Sequence, residues 1–257
     1  MAMRIADNDV GAGGIAQLPL WHGASEMPAA ELRHSRRARR VAVRIDAMGR
    51  VELVVPRGVS ETRARAFLAS RAEWITRHLQ RRRQLAKPMQ PFPPAGIELA
   101  ALGEHWRLFL AGGSGRFRLS ERCPGMLELR GCGADAQLQR QLIRWLTQRA
   151  HAVLAPQLQE LARRHGFSYS TLKLRRQRTR WGSCSARGVI TLNLASLFQP
   201  PEVLRYLMCH ELAHTRHMNH SARFWRCVEQ CEPGFRGLDA QLSTGWTRVP
   251  TWLLESP

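Results

Sequence analysis

The run His210-Glu211-Leu212-Ala213-His214 is the feature that most constrains this chain. Residues four positions apart lie one above the other on the same face of an α-helix, so His210 and His214 can bind one metal ion between them. Glu211 then lies beside that ion as a candidate general base for a water molecule. The pattern predicts a helix that carries two ligands of a catalytic zinc site, with a third ligand supplied from another part of the chain.

The surrounding residues favour a helix from about residue 201 to about residue 217, opened by a proline that suits a first helical turn. Val203, Leu207, His210 and His214 follow one another at spacings of four, three and four residues. These spacings keep all four side chains on one helix face. The two histidines therefore continue a stripe that is directed at the core.

Two histidines compete for the position of third ligand. His217 would lie roughly 10 Å along the helix axis from His210, at about 1.5 Å per residue, if the helix ran straight. One zinc ion with bonds of about 2 Å cannot bridge that distance. Asn219 tolerates a left-handed conformation and can end the helix, which would return His220 to the metal. His220 is the preferred third ligand, and the alternative interpretation makes His217 a helix-end histidine favoured by the helix dipole.

The residues around the motif carry a resemblance to a known family. Its most specific part spans residues 181–225 and contains Trp181-Gly182-Ser183-Cys184, the strand-like residues 190–194, the histidine helix, and Asn219-His220-Ser221 followed by Phe224-Trp225. This combination resembles the YgjP-like zinc metallopeptidase family, which is related to the minimal SprT-like and WLM-type peptidases. The likeness covers about residues 31–231 and includes the arginine-rich residues 33–40.

The resemblance implies a fold and a chemistry. It implies an α+β fold with a minimal zincin-like catalytic domain, in which a helix carries the HExxH motif beside a small sheet. His210, His214 and His220 would bind one Zn²⁺ ion, and Glu211 would be the catalytic acid and base. The substrate would be a peptide or protein. A nucleoside-triphosphate pyrophosphatase activity proposed for a relative gives a second candidate function.

The charge of the chain bears on a third candidate, a basic nucleic-acid-associated protein. The net charge is +19, but 37 of the 39 basic residues are arginines, a ratio more typical of coding bias than of selection for phosphate contact. One arginine cluster lies just upstream of the proposed site and could bind an anionic substrate through bidentate hydrogen bonds. It consists of Arg175, Arg176, Arg178 and Arg180.

Cysteine spacing and hydropathy predict the environment of the protein. The six cysteines lack the paired spacing of a structural zinc site, so we expect reduced thiols, with Cys209 serving as a small packing residue. Apolar runs are shorter than a bilayer requires, and the first residues do not resemble a signal peptide. We therefore expect no membrane association and a cytoplasmic location.

Composition and periodicity divide the chain into segments. They are a disordered tail (1–30), a hairpin-plus-helix region (31–86), a proline-rich linker (87–96), a β-rich accessory segment (97–130), the zincin-like metallopeptidase domain (131–235) and a C-terminal tail (236–257).

Local patterns predict several elements. Two strands are expected to meet around Gly49, and Ser60 is expected to cap one helix that runs to about residue 85. A long helix should end at Gly166, with Pro156 kinking or splitting it. Residues 190–194 form either an edge strand that pairs with substrate or a core strand. Candidates for an oxyanion donor are Arg180, Tyr206, Arg216 and His217.

Overall fold

A computed structural model of the chain describes residues 15–16, 30–85, 91–113 and 116–255. The chain folds into two compact units, Met1–Ala86 and Lys87–Pro257. The predicted tail over residues 1–30 lies outside the described residues, except for a short strand at Ile15–Ala16 and the first residue of the next strand. Residues 87–90 of the predicted linker also lie outside them.

Among its described residues, the first unit contains a four-stranded sheet of order β1-β2-β4-β3 and two helices. The predicted hairpin is confirmed, since β3 pairs antiparallel with β4 and Gly49 adopts a φ of 82° in the turn. Glycine reaches this left-handed conformation without steric cost. The elements are β1 (Ile15–Ala16), β2 (Ala30–Ser35), β3 (Ala42–Ile45), β4 (Val51–Pro56), α1 (Glu61–Ala69) and α2 (Ala72–Leu85).

The helix predicted after Ser60 begins as expected but is not continuous. The Ser60 hydroxyl accepts a hydrogen bond of 3.3 Å from the Arg63 N–H, which confirms the cap. Between α1 and α2 the Ser70 hydroxyl donates to the Phe67 carbonyl at 2.7 Å. Such a local side-chain hydrogen bond competes with the backbone hydrogen bonds of a helix. The chain forms two helices here, and the prediction of a single helix is therefore wrong.

The second unit begins with a four-stranded sheet of order β5-β6-β8-β7, followed by a long helix. The elements are β5 (Gly96–Leu99), β6 (Glu104–Leu110), β7 (Arg118–Cys123), β8 (Met126–Arg130) and α3 (Asp135–His165). Helix α3 ends at Gly166 as predicted, with a φ of 67°. Pro156 does not split it, because Leu154 and Leu158 on either side are both buried in the core and hold the helix together by packing.

A three-stranded sheet of order β10-β11-β9 lies beside the helix that carries the histidines. The elements are β9 (Thr171–Arg175), β10 (Gly182–Cys184), β11 (Val189–Asn193) and α4 (Pro201–Ala213). Strand β11 is central, parallel to β9 and antiparallel to β10. The edge-strand interpretation of residues 190–194 is therefore wrong, and the core-strand interpretation is confirmed. Strand β10 was not predicted, since its three residues have low β-propensity.

The chain closes with helices α5 (Ala222–Cys231), α6 (Phe235–Thr244) and α7 (Thr251–Leu254). The prediction of a C-terminal tail over residues 236–257 is wrong. Trp246 stacks on Trp181 with ring centroids 4.1 Å apart, and Trp252 and Leu253 are buried. These contacts join residues far apart in sequence, so local periodicity does not reveal them. With its sheets and helices, the described chain confirms the α+β class.

Cys209 and Cys231 form a disulfide bond that joins α4 to α5, with Cα atoms 6.0 Å apart. The expectation of reduced cysteines is wrong for this pair, because the pairing depends on how two helices pack and not on local spacing. The bond closes a covalent loop around the segment from His210 to His220. Every helix in the described part of the chain is too short or too polar to span a lipid bilayer.

Candidate metal centre

Helix α4 carries the histidine motif on one face. Val203 and Leu207 are buried ahead of His210 and His214, as the spacing predicts. Tyr206 lies four positions before His210, and its ring is also buried. The part of this face that precedes the motif is therefore buried, and His210 itself remains partly exposed.

The chain turns towards the third histidine earlier than predicted. Helix α4 ends at Ala213, and the N–H groups of Thr215 and Arg216 bond to carbonyls three residues back at 3.0 and 3.1 Å. The Thr215 hydroxyl donates to the Leu212 carbonyl at 2.7 Å. Among the described residues no non-glycine residue has a positive φ, so the predicted left-handed turn at Asn219 is wrong. In place of a left-handed turn, the last helical turn tightens, with hydrogen bonds between residues three positions apart.

The structure brings His210, His214 and His220 together. Their ring centroids are separated by 5.0 Å (His210–His214), 5.1 Å (His210–His220) and 4.8 Å (His214–His220). One ligand atom from each lies within 4.8 Å of the others, and the cluster does not include His217. The Nε2 atoms of His210 and His220 are 3.2 Å apart. Two nitrogens on one tetrahedral zinc ion stand about 3.3 Å apart, so the donor set fits this metal.

Hydrogen bonds at the Nδ1 atoms orient two of these rings. His214 Nδ1 lies 3.1 Å from the His217 carbonyl, which can only accept, so this nitrogen carries the hydrogen. His210 Nδ1 lies 3.3 Å from the Tyr206 hydroxyl. A histidine that donates through Nδ1 offers the lone pair of Nε2 to a metal. His217 thus contributes its backbone, not its side chain, to the centre.

Aromatic rings enclose the three imidazoles. Phe224 is fully buried, with its ring centroid 5.0, 4.5 and 4.7 Å from those of His210, His214 and His220. Trp225 stacks on His220 at 5.5 Å. Burial, reinforced by the neighbouring His214 and His220, lowers the pKa of His210 to about 3. His210 is therefore neutral over the physiological range, which is the form that binds a metal.

Glu211 is buried between α4 and β10, with 4% of its surface exposed. A Cβ atom built on Gly182 would lie 2.8 Å from Glu211 Cδ. The absence of a side chain at Gly182 therefore allows the carboxylate to pack against the strand. The sequence contains this glycine within Trp181-Gly182-Ser183-Cys184, but only the fold shows which residue it faces.

Two of the candidate oxyanion donors are engaged elsewhere. Tyr206 is 1% exposed and donates its hydroxyl hydrogen to Asp239 Oδ1 at 2.7 Å. Arg216 donates to the carbonyls of His165 and Gly166 at 3.1 and 2.6 Å, and its guanidinium lies over an aromatic ring. Both side chains therefore support the fold around the centre, and we assign neither of them to the oxyanion.

The arginine cluster upstream of Trp181 is also partly occupied. Arg176 Nη1 donates to the Glu255 carbonyl at 2.7 Å, and Arg178 Nε donates to the Leu254 carbonyl at 2.9 Å. These hydrogen bonds attach the end of α7 to the segment between β9 and β10. Two of the four guanidinium groups that suggested an anionic substrate thus have a structural role.

The fold and the cluster of three imidazoles beside a glutamate define a metal-dependent hydrolase of the metallopeptidase class. The chain belongs to the YgjP-like family, because the model of the YgjP-like metallopeptidase domain matches residues 39–244. This confirms the resemblance seen in the sequence. The family implies a divalent metal ion and a peptide or protein substrate.

The crystal structure of the metallopeptidase zymogen of Pyrococcus abyssi abylysin is similar to 36% of this chain and 94% of its own, with 28% identity and a TM-score of 0.33. No curated protein matches the chain.

Proposed function

We propose that this protein is a zinc metallopeptidase in which His210, His214 and His220 bind one zinc ion and Glu211 is the general base. The observation that carries the proposal is the convergence of three imidazoles, with ligand atoms within 4.8 Å of one another. Three neutral imidazoles suit zinc, whose catalytic sites take three protein ligands and keep one position for water or substrate.

Each residue of the proposed site has its own role in peptide hydrolysis. His210, His214 and His220 would hold the zinc ion, which would supply a water molecule acidic enough to react near neutral pH and would polarise a substrate carbonyl. Glu211 accepts the proton of the attacking water and passes it to the leaving amine. Gly182 leaves room for the Glu211 carboxylate beside β10. Phe224 covers the inner side of the three imidazoles and excludes bulk water there.

We propose that β10, and not the predicted residues 190–194, aligns the substrate. Strand β10 lies at the edge of its sheet and packs against α4. No strand of the described chain pairs with its outer edge. An extended peptide can add to such an edge through backbone hydrogen bonds, which accept many side-chain sequences. This placement would bring the scissile bond beside Glu211.

The structure gives less support to the nucleotide and nucleic-acid alternatives. The nucleotide alternative rests partly on the basic cluster before Trp181, in which both Arg176 and Arg178 are hydrogen-bonded to backbone carbonyls. The nucleic-acid alternative rests on the net charge of +19. A high net charge favours non-specific association with nucleic acid but does not by itself indicate a catalytic function. We therefore do not extend the proposal to these substrates.

The substitution Glu211→Gln tests the proposal directly. The amide keeps the size of the side chain but cannot accept a proton, so we expect zinc content to stay at one ion per chain. Cleavage of an unstructured protein substrate should fall by roughly 10²–10⁴-fold, the usual contribution of general acid–base catalysis. Zinc is measured by elemental analysis and cleavage by the appearance of new amino termini.

Glu202→Gln is the matched control, since Glu202 lies on the same helix with its side chain exposed. It should cleave like the wild type. Equal cleavage rates for the Glu211→Gln variant and the wild type would rule out Glu211 as the general base. Pyrophosphate release from nucleoside triphosphates by the wild type, without peptide cleavage, would favour the nucleotide alternative.

A further inference from the structure

A chain of two hydrogen bonds leads from helix α6 to the metal centre. Asp239 Oδ1 accepts the hydroxyl hydrogen of Tyr206 at 2.7 Å, and the same hydroxyl oxygen lies 3.3 Å from His210 Nδ1. Asp239 is 33 positions away from Tyr206 in sequence and belongs to a helix that supplies no metal ligand. The centre thus extends beyond the three histidines and Glu211.

The hydrogens in this chain have one consistent arrangement. Tyrosine has a single O–H, and an ionised carboxylate can only accept. The hydroxyl hydrogen therefore points at Asp239, and the Tyr206 oxygen accepts a hydrogen from His210 Nδ1. His210 then has no hydrogen on Nε2, the atom that lies 3.2 Å from His220 Nε2. The lone pair of Nε2 is directed at the position where the three rings converge.

The environment of Tyr206 keeps this arrangement in place. The Tyr206 side chain is held in the core, with 1% of its surface exposed. The Tyr206 ring stacks on Phe235 at 6.3 Å with an interplanar angle of 16°. Phe235 is the first residue of α6, the helix that also carries Asp239. One helix therefore positions both the ring and the hydroxyl of Tyr206.

We propose that Asp239 and Tyr206 are positioning residues that hold His210 in the tautomer with a free Nε2. The inference rests on the metal site of the proposed function. Without the carboxylate of Asp239, the Tyr206 hydroxyl can turn and donate to His210 Nδ1. That bond stabilises the opposite tautomer, whose Nε2–H points into the metal position. Groups that orient a metal-binding histidine through its second nitrogen typically change metal affinity by about 10–100-fold.

The test uses the full-length protein with the substitution Asp239→Ala. Asp239 is exposed, so its removal leaves the core intact. We expect the zinc Kd, measured by competition with a chromophoric chelator, to rise by about 10–100-fold. Asp239→Asn keeps an acceptor oxygen and should restore most of the affinity. Gln241→Ala, an exposed change on the same helix, should bind zinc like the wild type.

A second measurement does not depend on metal. In the zinc-free protein, the ¹⁵N chemical shifts of the imidazoles report which nitrogen of His210 carries the hydrogen. We expect Nδ1–H in the wild type and a shift towards Nε2–H in Asp239→Ala. Tyr206→Phe should lose zinc affinity to a similar degree, and the double variant should be no weaker than either single one, because both residues act through one chain.

The inference is overturned if Asp239→Ala binds zinc within about twofold of the wild type and keeps the Nδ1–H tautomer. A weaker Kd without a change of tautomer would also contradict it, since the loss would then be structural. If the wild type binds no zinc, the proposed function fails. The tautomer in the zinc-free protein still decides the role of Asp239 and Tyr206 in that case.

Discussion

At the scale of single residues, the position of Glu211 depends on the glycine that faces it. A side chain at residue 182 would begin within 2.8 Å of Glu211 Cδ. The atoms that would have to move are at the flexible end of the glutamate, so the fold can adapt but the carboxylate cannot stay in place. Gly182 is therefore expected to matter more for catalysis than for stability.

The substitution Gly182→Ala should separate these two effects. We expect kcat/KM to fall by about 10²-fold, the loss typical of a catalytic group displaced by about 1 Å. Zinc content should not change, and the free energy of unfolding should change by less than about 1 kcal/mol. Steady-state cleavage, elemental analysis and denaturant unfolding measure the three quantities.

Gly237→Ala is the matched control for this prediction. It adds the same methyl group on α6, where a Cβ meets nothing within 4 Å, and it should leave kcat/KM unchanged. If the Gly182→Ala variant cleaves as well as this control, then catalysis does not require the present position of the Glu211 carboxylate. The role we assign to Gly182 would then be wrong.

At the scale of elements, a charged cluster joins the sheet of order β5-β6-β8-β7 to helix α3. Glu104 on β6 accepts hydrogen bonds from Arg149 Nε at 2.9 Å and from Trp106 Nε1 at 2.8 Å. Arg149 lies on α3, and its guanidinium also lies 5.5 Å from the Trp106 ring centroid. Burial alone would raise the pKa of Glu104, but these hydrogen bonds outweigh it and bring the pKa below its ordinary value of 4.5.

The lowered pKa of Glu104 makes stability depend on pH. The folded state favours the charged form of Glu104. Its contribution to the free energy of unfolding is therefore present above pH 4.5 and is lost as the pH falls below that value. Glu104→Gln should lower the free energy of unfolding by about 1–2 kcal/mol at neutral pH. The difference from the wild type should shrink as the pH falls from about 5 towards 3.

Urea unfolding at a series of pH values checks this prediction, with the exposed Glu98→Gln on β5 as the control. The control should show no comparable loss at neutral pH. A difference between Glu104→Gln and the wild type that stays constant down to about pH 3 would contradict the account of the cluster.

At the scale of the whole molecule, local signals predict the local structure. The hairpin turn at Gly49, the helix cap at Ser60 and the helix end at Gly166 each depend on neighbouring residues, and all three are confirmed. The convergence of His210, His214 and His220 was also predictable, since all three lie within eleven positions on one helix and the turn that follows it.

The remaining features depend on contacts between distant parts of the chain. The stacking of Trp181 on Trp246 and the hydrogen bond from Tyr206 to Asp239 join residues that no local pattern relates. These contacts explain why local patterns predict a tail where the chain forms its C-terminal helices. The disulfide bond of Cys209 could not be predicted for the same reason, because its partner Cys231 lies on another helix.

The zinc content of three purified proteins tests the central proposal most directly: the wild type, His220→Ala and His217→Ala. We predict one zinc ion per chain in the wild type and in His217→Ala, because residue 217 supplies only its carbonyl to the centre. His220→Ala should lose most of its zinc. Full zinc content in His220→Ala, or its loss in His217→Ala alone, would contradict the assignment of the three ligands.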